Sequence, residues 1–410
     1  MARFLQMPLE TFLIFLGTRR VGVGITEPLE ANMLQDINRY NTANARQILE
    51  YFHAKRVLIT GGFGFVGGHV ARRLLDCGAE VTVLDIDTSP GRPSMINCAQ
   101  QGMRDRVRVV EADVTDKSTM QEVIEEGRFH YIFHFAAYAS VIEKALTAPY
   151  DTIMANTMGW INVLEACRIT NHKPNMLFLS STDKVYGEMD GDSYFEHLTP
   201  LRGIGVYDSA KLAADVFSRT YHEAFGLPTV TLRMCNIYGP YDFNSAYRLL
   251  PKAMQSVYGS PEPVPPELYF DAIEHHRDYL YVDDLVNAII LLAHGNVCRG
   301  EVYNLAGGTY LSTPTMLRTI VELCAEVERD YDEARSAQIL HNGIAVRVSA
   351  NASTVHAISK QHLNGEKLMH DTGFQPGESF ADALKATIRF YRGYFMASGA
   401  EAGNAQRLAG

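Results

Sequence analysis

The fold of this chain is decided by the stretch VLITGGFGFVGG, residues Val57–Gly68. It begins as a short, β-branched, apolar run, typical of a buried parallel strand, and continues with helical spacing from Phe65 to Leu75. Gly61 allows a sharp turn, Gly64 lets a phosphate approach the backbone, and Gly67 lets helix and strand pack closely. The helix amino end then faces an anion, which predicts a nucleotide-binding loop that includes Phe63, Phe65 and Val66. The alternative is a glycine turn without a ligand.

A second strand-like run predicts which nucleotide this loop binds. Glu80–Leu84 ends in Asp85, which lies 18 positions after Gly67. A carboxylate at about this spacing binds the adenosine ribose of NAD and repels the 2′-phosphate of NADP. We therefore expect NAD as the cofactor, although the nearby Arg92 leaves NADP open.

Composition and charge argue against several kinds of partner. The chain has 410 residues, of which 47% are hydrophobic, so it can bury a large core. Its formal charge of −10, without a basic run, argues against nucleic acid. The apolar run Phe12–Leu16 is too short to span a membrane and has charged residues close to it on both sides.

Cysteine and histidine spacing does not favour a metal site. The six cysteines are scattered without a Cys-x-x-Cys pair, which fits a reducing cytoplasm and no disulfide framework. His275 and His276 are adjacent, so on a strand they point to opposite faces, and no cysteine or carboxylate cluster accompanies them.

Strand-like and helix-like segments alternate through the first half of the chain, which predicts an α/β fold with a doubly wound parallel sheet of the Rossmann type. Strands are expected at 56–60, 80–84, 107–111, 131–134, 176–179 and 229–232. Long helices at 156–168 and 207–225 can serve as dimer faces, so we expect a homodimer or higher homo-oligomer.

We divide the chain into four parts. Residues 1–54 form an amino-terminal arm that is partly helical, and residues 55–237 form the NAD-binding domain. After 238–240 the pattern becomes irregular, and a Pro-rich stretch follows at 260–266, so residues 238–396 form mainly a smaller substrate-binding lobe, with segments that return to the first domain. The small-residue segment 397–410 is expected to be a flexible tail.

Two groups of polar residues are candidates for catalysis. Tyr207 and Lys211 are four residues apart, hence on one face of a helix, where the ammonium favours a phenolate that can accept a proton from a sugar hydroxyl. Thr182, Asp183 and Lys184 follow an apolar strand at the sheet edge where doubly wound folds bind ligands. The alternative is a set of solvated polar groups in a loop.

With these residues in place, the chain from about Arg56 to Phe395 resembles the extended short-chain dehydrogenase/reductases, among them the nucleotide-sugar epimerases and dehydratases. The resemblance implies NAD contacts from Tyr207 and Lys211 and from the end of several strands, at Asp113, Val114, Ala136 and Ala137. It implies that a nucleotide-diphosphate sugar is the substrate and is bound by Asn236, Arg277 and Asn304. A surface salt bridge with Asp278 or Asp283 is the alternative for Arg277.

Within that family the triplet Thr182–Lys184 looks like a 4,6-dehydratase. The Asp-Lys pair looks more like the CDP-glucose group, or certain UDP-N-acetylglucosamine dehydratases, than the dTDP-glucose enzymes, which usually have Asp-Glu. The stretch Lys360–Leu368 is similar to the same group, as is Tyr241–Asn244 with the later Arg248. The chain departs from the pattern at Pro240, where a second glycine is common, and in its amino-terminal arm.

The resemblance implies a reaction in three stages. Tyr207, kept acidic by Lys211 and helped by Thr182, removes the C4 hydroxyl proton as hydride passes to NAD. Asp183 then protonates the departing C6 hydroxyl, while Lys184, if neutral, or another base takes the C5 proton. Hydride finally returns to C6. The alternatives are a 4-epimerase or decarboxylase of the same family, or a non-catalytic NAD-binding scaffold that binds partners through its arm.

Overall fold

The fold of residues 45–98, 102–138, 143–295, 298–348 and 358–408 is described by a computed structural model. The strands, in chain order, are β1 Arg56–Thr60, β2 Glu80–Asp85, β3 Arg108–Glu111, β4 Tyr131–His134, β5 Met176–Thr182, β6 Thr229–Met234, β7 Asn236–Tyr238, β8 Glu267–Tyr269, β9 His276–Tyr281, β10 Val302–Leu305, β11 Thr309–Ser312, β12 Ala345–Arg347 and β13 Lys360–Gln361.

Helices connect most of these strands. They are α1 Ala45–Phe52, α2 Phe65–Asp76, α3 Met95–Cys98, α4 Met103–Arg106, α5 Lys117–Gly127, α6 Glu143–Thr147, α7 Pro149–Ile153, α8 Gly159–Ile169, α9 Val206–Phe225, α10 Leu249–Tyr258, α11 Val282–Gly295, α12 Thr313–Arg329, α13 Glu333–Asn342, α14 Glu366–Thr372 and α15 Phe380–Leu408. The helix expected at 156–168 begins as a π-helical turn, Met154–Met158, before α8.

The main sheet confirms the doubly wound prediction. It has seven strands in the order β10-β6-β5-β4-β1-β2-β3, paired in parallel throughout. The chain builds outward from β1 to β3 and then returns to place β4 on the other side of β1. The glycine-rich loop leaves the carboxyl end of β1 at this reversal, where doubly wound sheets bind their ligands.

Both faces of the sheet are buried because successive strand residues point to opposite sides. Ile59 packs with Leu74 of α2 and Leu285 of α11 in one apolar cluster. Leu58, one position earlier, packs with Trp160 of α8 in another. This arrangement explains why the strands read as continuous apolar runs rather than alternating ones.

The second lobe is built on a smaller sheet in which β9 lies between β11 and β13 and also pairs with β7. Strand β10 does not belong to this lobe. It joins the edge of the main sheet beside β6, with Asn304 opposite Arg233. The segment 302–305 is therefore part of the main sheet.

The described residues begin at residue 45 and continue to residue 408, so they include less of the amino-terminal end than of the carboxyl-terminal end. Residues 1–44 of the predicted arm lie outside the described residues, whereas α1 places Ile48 and Phe52 in the core beside the main sheet. At the other end, α15 continues to Leu408, so the secondary structure does not break at residue 397 where we expected a tail. The alanines of this segment favour helix, which explains the difference.

A buried ion pair ties α9 to the main sheet. Asp215 of α9 accepts hydrogen bonds from Arg233 of β6 at 2.8 and 3.1 Å, and both side chains are 4% exposed. Ser181 of β5 donates to the same carboxylate at 3.0 Å. The network fixes α9 against the carboxyl ends of β5 and β6.

We expect Asp215→Ala to lower the free energy of unfolding by about 3 to 5 kcal/mol, because Arg233 loses its charge partner in a buried site. Chemical denaturation followed by circular dichroism measures the change. Glu326→Ala is the matched control, since it breaks an exposed ion pair with Lys385 and should leave stability nearly unchanged. Equal effects of the two variants would contradict the assignment.

Candidate active site

The glycine-rich loop has the geometry that a bound pyrophosphate requires. Gly61 has a φ of +71°, and a Cβ there would lie 2.6 Å from the Ala136 nitrogen. A Cβ on Gly67 would lie 2.3 Å from the Gly61 carbonyl oxygen, so the start of α2 can approach the loop only without a side chain. At Gly64 the nearest atom would be the Gly61 oxygen at 3.0 Å, which leaves its other side open. The cradle fits a dinucleotide.

Asp85 lies directly against this loop, at the end of β2. Its Oδ2 accepts a hydrogen bond from the Phe63 backbone at 3.1 Å, and its Oδ1 pairs with Arg92 at 2.8 Å. The side chain is 8% exposed, so the carboxylate is fixed in position. Arg92 is therefore already engaged by Asp85, which favours a ribose hydroxyl over a 2′-phosphate at this place.

The other predicted cofactor residues line the neighbouring strand ends. Asp113 is exposed just after β3 and accepts a hydrogen bond from the Thr115 backbone at 2.8 Å, while Val114 is buried beside it. Ala136, after β4, donates to the Thr60 hydroxyl at 3.3 Å. Ala137 follows it. These residues share the carboxyl edge of the sheet with the glycine-rich loop.

Tyr207 and Lys211 lie in the first two turns of α9, above β5. The Lys211 ammonium is buried and donates to the Ser180 carbonyl at 2.8 Å, and burial lowers its pKa to about 8. Burial raises the pKa of Tyr207, and the cation that most opposes this increase is Arg248. We expected Lys211 to keep Tyr207 acidic. In this structure the Lys211 ammonium faces the Ser180 carbonyl.

Thr182 and Asp183 are buried rather than solvated. Thr182 donates to Asp183 Oδ1 at 3.0 Å and accepts a hydrogen bond from the Lys184 backbone at 3.3 Å. The second carboxyl oxygen, Asp183 Oδ2, is buried and has no hydrogen-bond partner among the described residues. Burial raises the pKa of Asp183, and the charges of Lys184 and Arg277 oppose the increase. A buried carboxyl with one free oxygen is suited to donate a proton.

Lys184 is the second residue of the 3₁₀ turn Asp183–Tyr186, and its side chain is half-buried. Its charge acts on two carboxyls, Asp183 and Asp208. Burial raises the pKa of Asp208, which is the only acid of the first turn of α9. The charge of Lys184 is therefore felt by two acids whose pKa values burial raises. Asp208 is the residue of this group that the sequence analysis missed.

Asn236 and Arg277 lie on the neighbouring strands β7 and β9. The Asn236 side chain is exposed and donates to the Asp278 carbonyl at 3.4 Å. The Arg277 guanidinium donates to three backbone carbonyls, those of His276, Ser359 and Ile358, at 2.7 to 2.9 Å. Among the described residues, Arg277 forms no salt bridge with Asp278 or Asp283. Its positive charge is therefore available to bind an anion.

Asn304 is a correction to the sequence analysis. It is 0% exposed, its side-chain oxygen accepts from the Tyr186 hydroxyl at 2.7 Å, and its amide donates to the carbonyls of Tyr194 and Asn364 at 2.9 and 3.2 Å. Each end of the side chain is bound by the protein itself. We therefore propose a structural role for Asn304, which joins three segments beneath the site. The sequence signal that could have predicted this structural role was the position of Asn304 in a buried parallel strand.

Comparison with known proteins agrees with this geometry. Residues 57–306 match the NAD dependent epimerase/dehydratase family. The chain belongs to this family. Its members bind NAD, as the loop and Asp85 predicted. The matched region runs from β1 to just past β10, and so it contains the glycine-rich loop, the Thr182 to Lys184 turn and the Tyr207 helix.

Individual relatives are similar over most of the chain. A dTDP-glucose 4,6-dehydratase from Streptomyces niveus is 30% identical over 82% of this chain and 93% of its own length. The crystal structure of a dTDP-glucose 4,6-dehydratase from Streptomyces venezuelae with NAD bound is 28% identical and covers 82% of this chain and 97% of its own, with a TM-score of 0.69. A UDP-glucose 4-epimerase from Thermus thermophilus with NAD, 26% identical, covers 82% and 99%, with a TM-score of 0.67.

The described residues lack two further kinds of feature. They contain no group of three or more His, Cys, Asp or Glu side chains placed to hold a metal ion. In the same residues no helix is long and apolar enough to cross a membrane. All six cysteines are free thiols.

We expect Asp85→Ala to weaken NAD binding by roughly 10-fold or more while leaving the nucleotide sugar nearly unaffected, because a lost charged hydrogen bond costs about 1.5 to 3 kcal/mol. Isothermal titration of each ligand measures both changes. Asp87→Ala is the control, since that carboxylate is exposed and binds Ser89. An equal loss of both ligands would indicate a folding defect instead.

Proposed function

We propose that this enzyme is a nucleotide-sugar 4,6-dehydratase, which converts an NDP-hexose to the NDP-4-keto-6-deoxyhexose. The observation that carries the proposal is the free, buried oxygen of Asp183, which is hydrogen bonded through its other oxygen to Thr182. An epimerase needs a base at C4 only, whereas elimination also needs an acid at the C6 hydroxyl. The similarity to enzymes named dTDP-glucose 4,6-dehydratases supports the same reaction.

Each step of the proposed reaction is assigned to a particular residue. The glycine-rich loop and Asp85 would hold NAD, and the bound cofactor would supply the hydride chemistry at C4 and C6. Tyr207 accepts the C4 hydroxyl proton, and the hydroxyl of Thr182 orients that oxygen. The C4 ketone acidifies the C5 hydrogen, so a base can remove it as a proton. Asp183 donates its proton to the departing C6 hydroxyl, and water leaves. When hydride is returned to C6, the base gives a proton back to C5, which yields the 4-keto-6-deoxyhexose.

Substrate binding is assigned to the cations around this group. In this structure the Arg277 guanidinium donates hydrogen bonds only to neutral backbone carbonyls, so it is suited to bind the diphosphate. The exposed Asn236 side chain lies on the neighbouring strand. Arg248 is a further candidate, because its charge acts on Tyr207 and its guanidinium lies 5.7 Å from the Phe65 ring, at the start of α2. The diphosphate would then lie between the two arginines.

The nucleotide is a separate question. The Asp183-Lys184 pair favours CDP-glucose by family resemblance, whereas the relatives described above are named for dTDP-glucose. We propose CDP-glucose as the substrate, with dTDP-glucose as the competitor. Incubation of the purified protein with CDP-, dTDP-, UDP- and GDP-glucose, followed by mass spectrometry, tests both the dehydratase activity and the choice of nucleotide. Loss of water from none of them, with conversion to a 4-epimer of the same mass, would make the protein an epimerase.

We also propose a homodimer, formed through α9 and the helices next to it. Large apolar side chains are exposed on this side, at Val216 and Phe225 of α9, Ile169 at the end of α8, and Tyr150 and Ile153 of α7. A soluble monomer rarely exposes several such residues on neighbouring helices.

We expect Tyr207→Phe to bind NAD and substrate nearly normally and to lose turnover by at least about 100-fold, because the ring remains while the proton acceptor is removed. Steady-state kinetics and titration calorimetry separate the two effects. Tyr331→Phe, at an exposed tyrosine of the second lobe, is the control. Turnover at the native rate would remove Tyr207 from the mechanism.

Lys184→Met separates oxidation from elimination. If the neutral Lys184 amine is the C5 base, the variant should still oxidise C4 and accumulate bound NADH, which is visible by its absorbance. Deuterium exchange at C5 and release of water should both collapse, by about 100-fold or more.

Product that carries solvent deuterium at C5, formed at the native rate, would leave Lys184 as an electrostatic residue. Asp208 would then be the next base to test, because burial raises the pKa of its carboxyl and the charge of Lys184 acts on it. Lys385→Met, on an exposed part of α15, is the matched control for loss of a lysine.

A further inference from the structure

We propose that Glu188 is a positioning residue that fixes the guanidinium of Arg277 through two peptide groups lying between them, and so determines how tightly the diphosphate of the substrate is bound. The proposal deepens the function proposed above and rests on it for the role of Arg277. Glu188 closely follows the turn that carries Asp183, whereas Arg277 lies on β9. The two residues therefore belong to different lobes of the protein.

The two side chains meet at residues 358–364, which we call the strap. The strap includes β13, which pairs in parallel with β9. It is also hydrogen bonded to Tyr194, whose nitrogen donates to the His362 carbonyl at 2.8 Å and whose carbonyl accepts from the Asn364 nitrogen at 2.9 Å. The strap therefore joins the chain that follows Asp183 to the strand that carries Arg277.

Glu188 uses both of its carboxylate oxygens on the strap. Its Oε2 accepts a hydrogen bond from the Ser359 nitrogen at 2.8 Å. Its Oε1 accepts from the Ser359 hydroxyl and from the Lys360 nitrogen, the latter at 3.4 Å. The backbone just before Glu188 is itself held in place, because Gly187 has a φ of +73° and its carbonyl accepts from the Tyr194 hydroxyl at 2.5 Å. A fixed backbone thus directs the carboxylate at the strap.

Arg277 binds the other end of the same two peptide groups. Its Nη2 donates to the Ile358 carbonyl at 2.7 Å, and its Nη1 donates to the Ser359 carbonyl at 2.9 Å. The Ile358 carbonyl and the Ser359 N–H belong to one peptide group, and the Ser359 carbonyl and the Lys360 N–H belong to the next. In a trans peptide the N–H and the C=O point in opposite directions. Each of these peptide groups therefore joins the carboxylate to the guanidinium.

This arrangement holds a cation without neutralising it. Among the described residues, Glu188 and Arg277 form no direct ion pair, although the charge of Glu188 acts on Arg277. Hydrogen bonds in series polarise one another, so a carboxylate on the N–H side makes each carbonyl a better acceptor for the guanidinium. In this part of the chain the Arg277 Nε–H and one Nη2 hydrogen are left for a phosphate.

The two ways in which Glu188 can act predict opposite results. If its negative charge acted directly on the site, removal of that charge would strengthen the binding of a diphosphate. If Glu188 positions Arg277, its removal frees the two peptide groups to turn, and diphosphate binding weakens. Glu188→Asp separates the two roles further, because it keeps the charge but shortens the side chain so that it no longer reaches both N–H groups.

The test titrates CDP, dTDP, UDP and GDP into the NAD-loaded full chain by isothermal calorimetry. We expect Glu188→Gln and Glu188→Asp each to raise the Kd of the diphosphates that bind by roughly 10-fold, because charged hydrogen bonds that hold Arg277 are lost. The Kd of NAD should not change. Asp190→Asn is the matched control and should leave every Kd within about two-fold, since Asp190 is an exposed acid of the same loop that pairs with Arg202.

The double variant Glu188→Gln, Arg277→Met decides the case. Under the proposal its Kd equals that of Arg277→Met alone, since Glu188 then has no cation to position. Tighter or unchanged binding in Glu188→Gln, native binding in Glu188→Asp, or additive losses in the double variant would overturn the proposal. Native binding by Arg277→Met, or failure of all four diphosphates to bind the native protein, would overturn it as well.

The same variants separate this inference from the proposed function. The titration needs no turnover, so it is valid even if no nucleotide sugar loses water. The expected Kd changes without loss of water would reject the dehydratase and keep the positioning role, and loss of water without those changes would do the reverse. For a nucleotide-glucose that is converted, Glu188→Gln should raise KM and leave kcat nearly unchanged, because the diphosphate is bound equally in the substrate and in the transition state.

Discussion

The contact between Asp215 and Arg233 is the constraint on which the site depends. Through it, α9 is held to β6, and through Ser181 the same carboxylate holds β5, one residue before Thr182. The proton acceptor and the proton donor of the proposed reaction come from different elements, α9 and the turn after β5. A buried, doubly hydrogen-bonded ion pair fixes direction as well as distance, which a purely apolar contact between helix and strand would not do.

Burial governs the protonation of the site residues. It lowers the Lys211 pKa to about 8 and raises those of Tyr207 and Asp183, so each of these groups is moved toward its neutral form. For Asp183 the neutral form is the working one, because an acid must carry its proton. For Tyr207 the neutral form is the resting one, and the positive charges around it determine how easily the phenol loses its proton.

Much of the architecture was predictable because local sequence determines it. The strand before Gly61 and the acid at Asp85 need only spacing and residue type, and the structure places both as expected. Side-chain direction was not predictable. Lys211 turns to Ser180, and Asn304 is enclosed by Tyr186, because both outcomes depend on groups that are distant in sequence. Asp208 was missed for the same reason, since its partners become neighbours only after folding.

The return of β10 to the main sheet also affects how the protein folds during synthesis and where it can be truncated. The strand that completes the sheet is synthesised about 240 residues after β1, so the NAD-binding half cannot close before most of the chain has left the ribosome. A fragment that stops after β7 would expose the open edge of β6, which is a template for aggregation. The two halves are thus distinct in space but are a single unit for biosynthesis and for engineering, and neither can be exchanged by a simple fusion at residue 237.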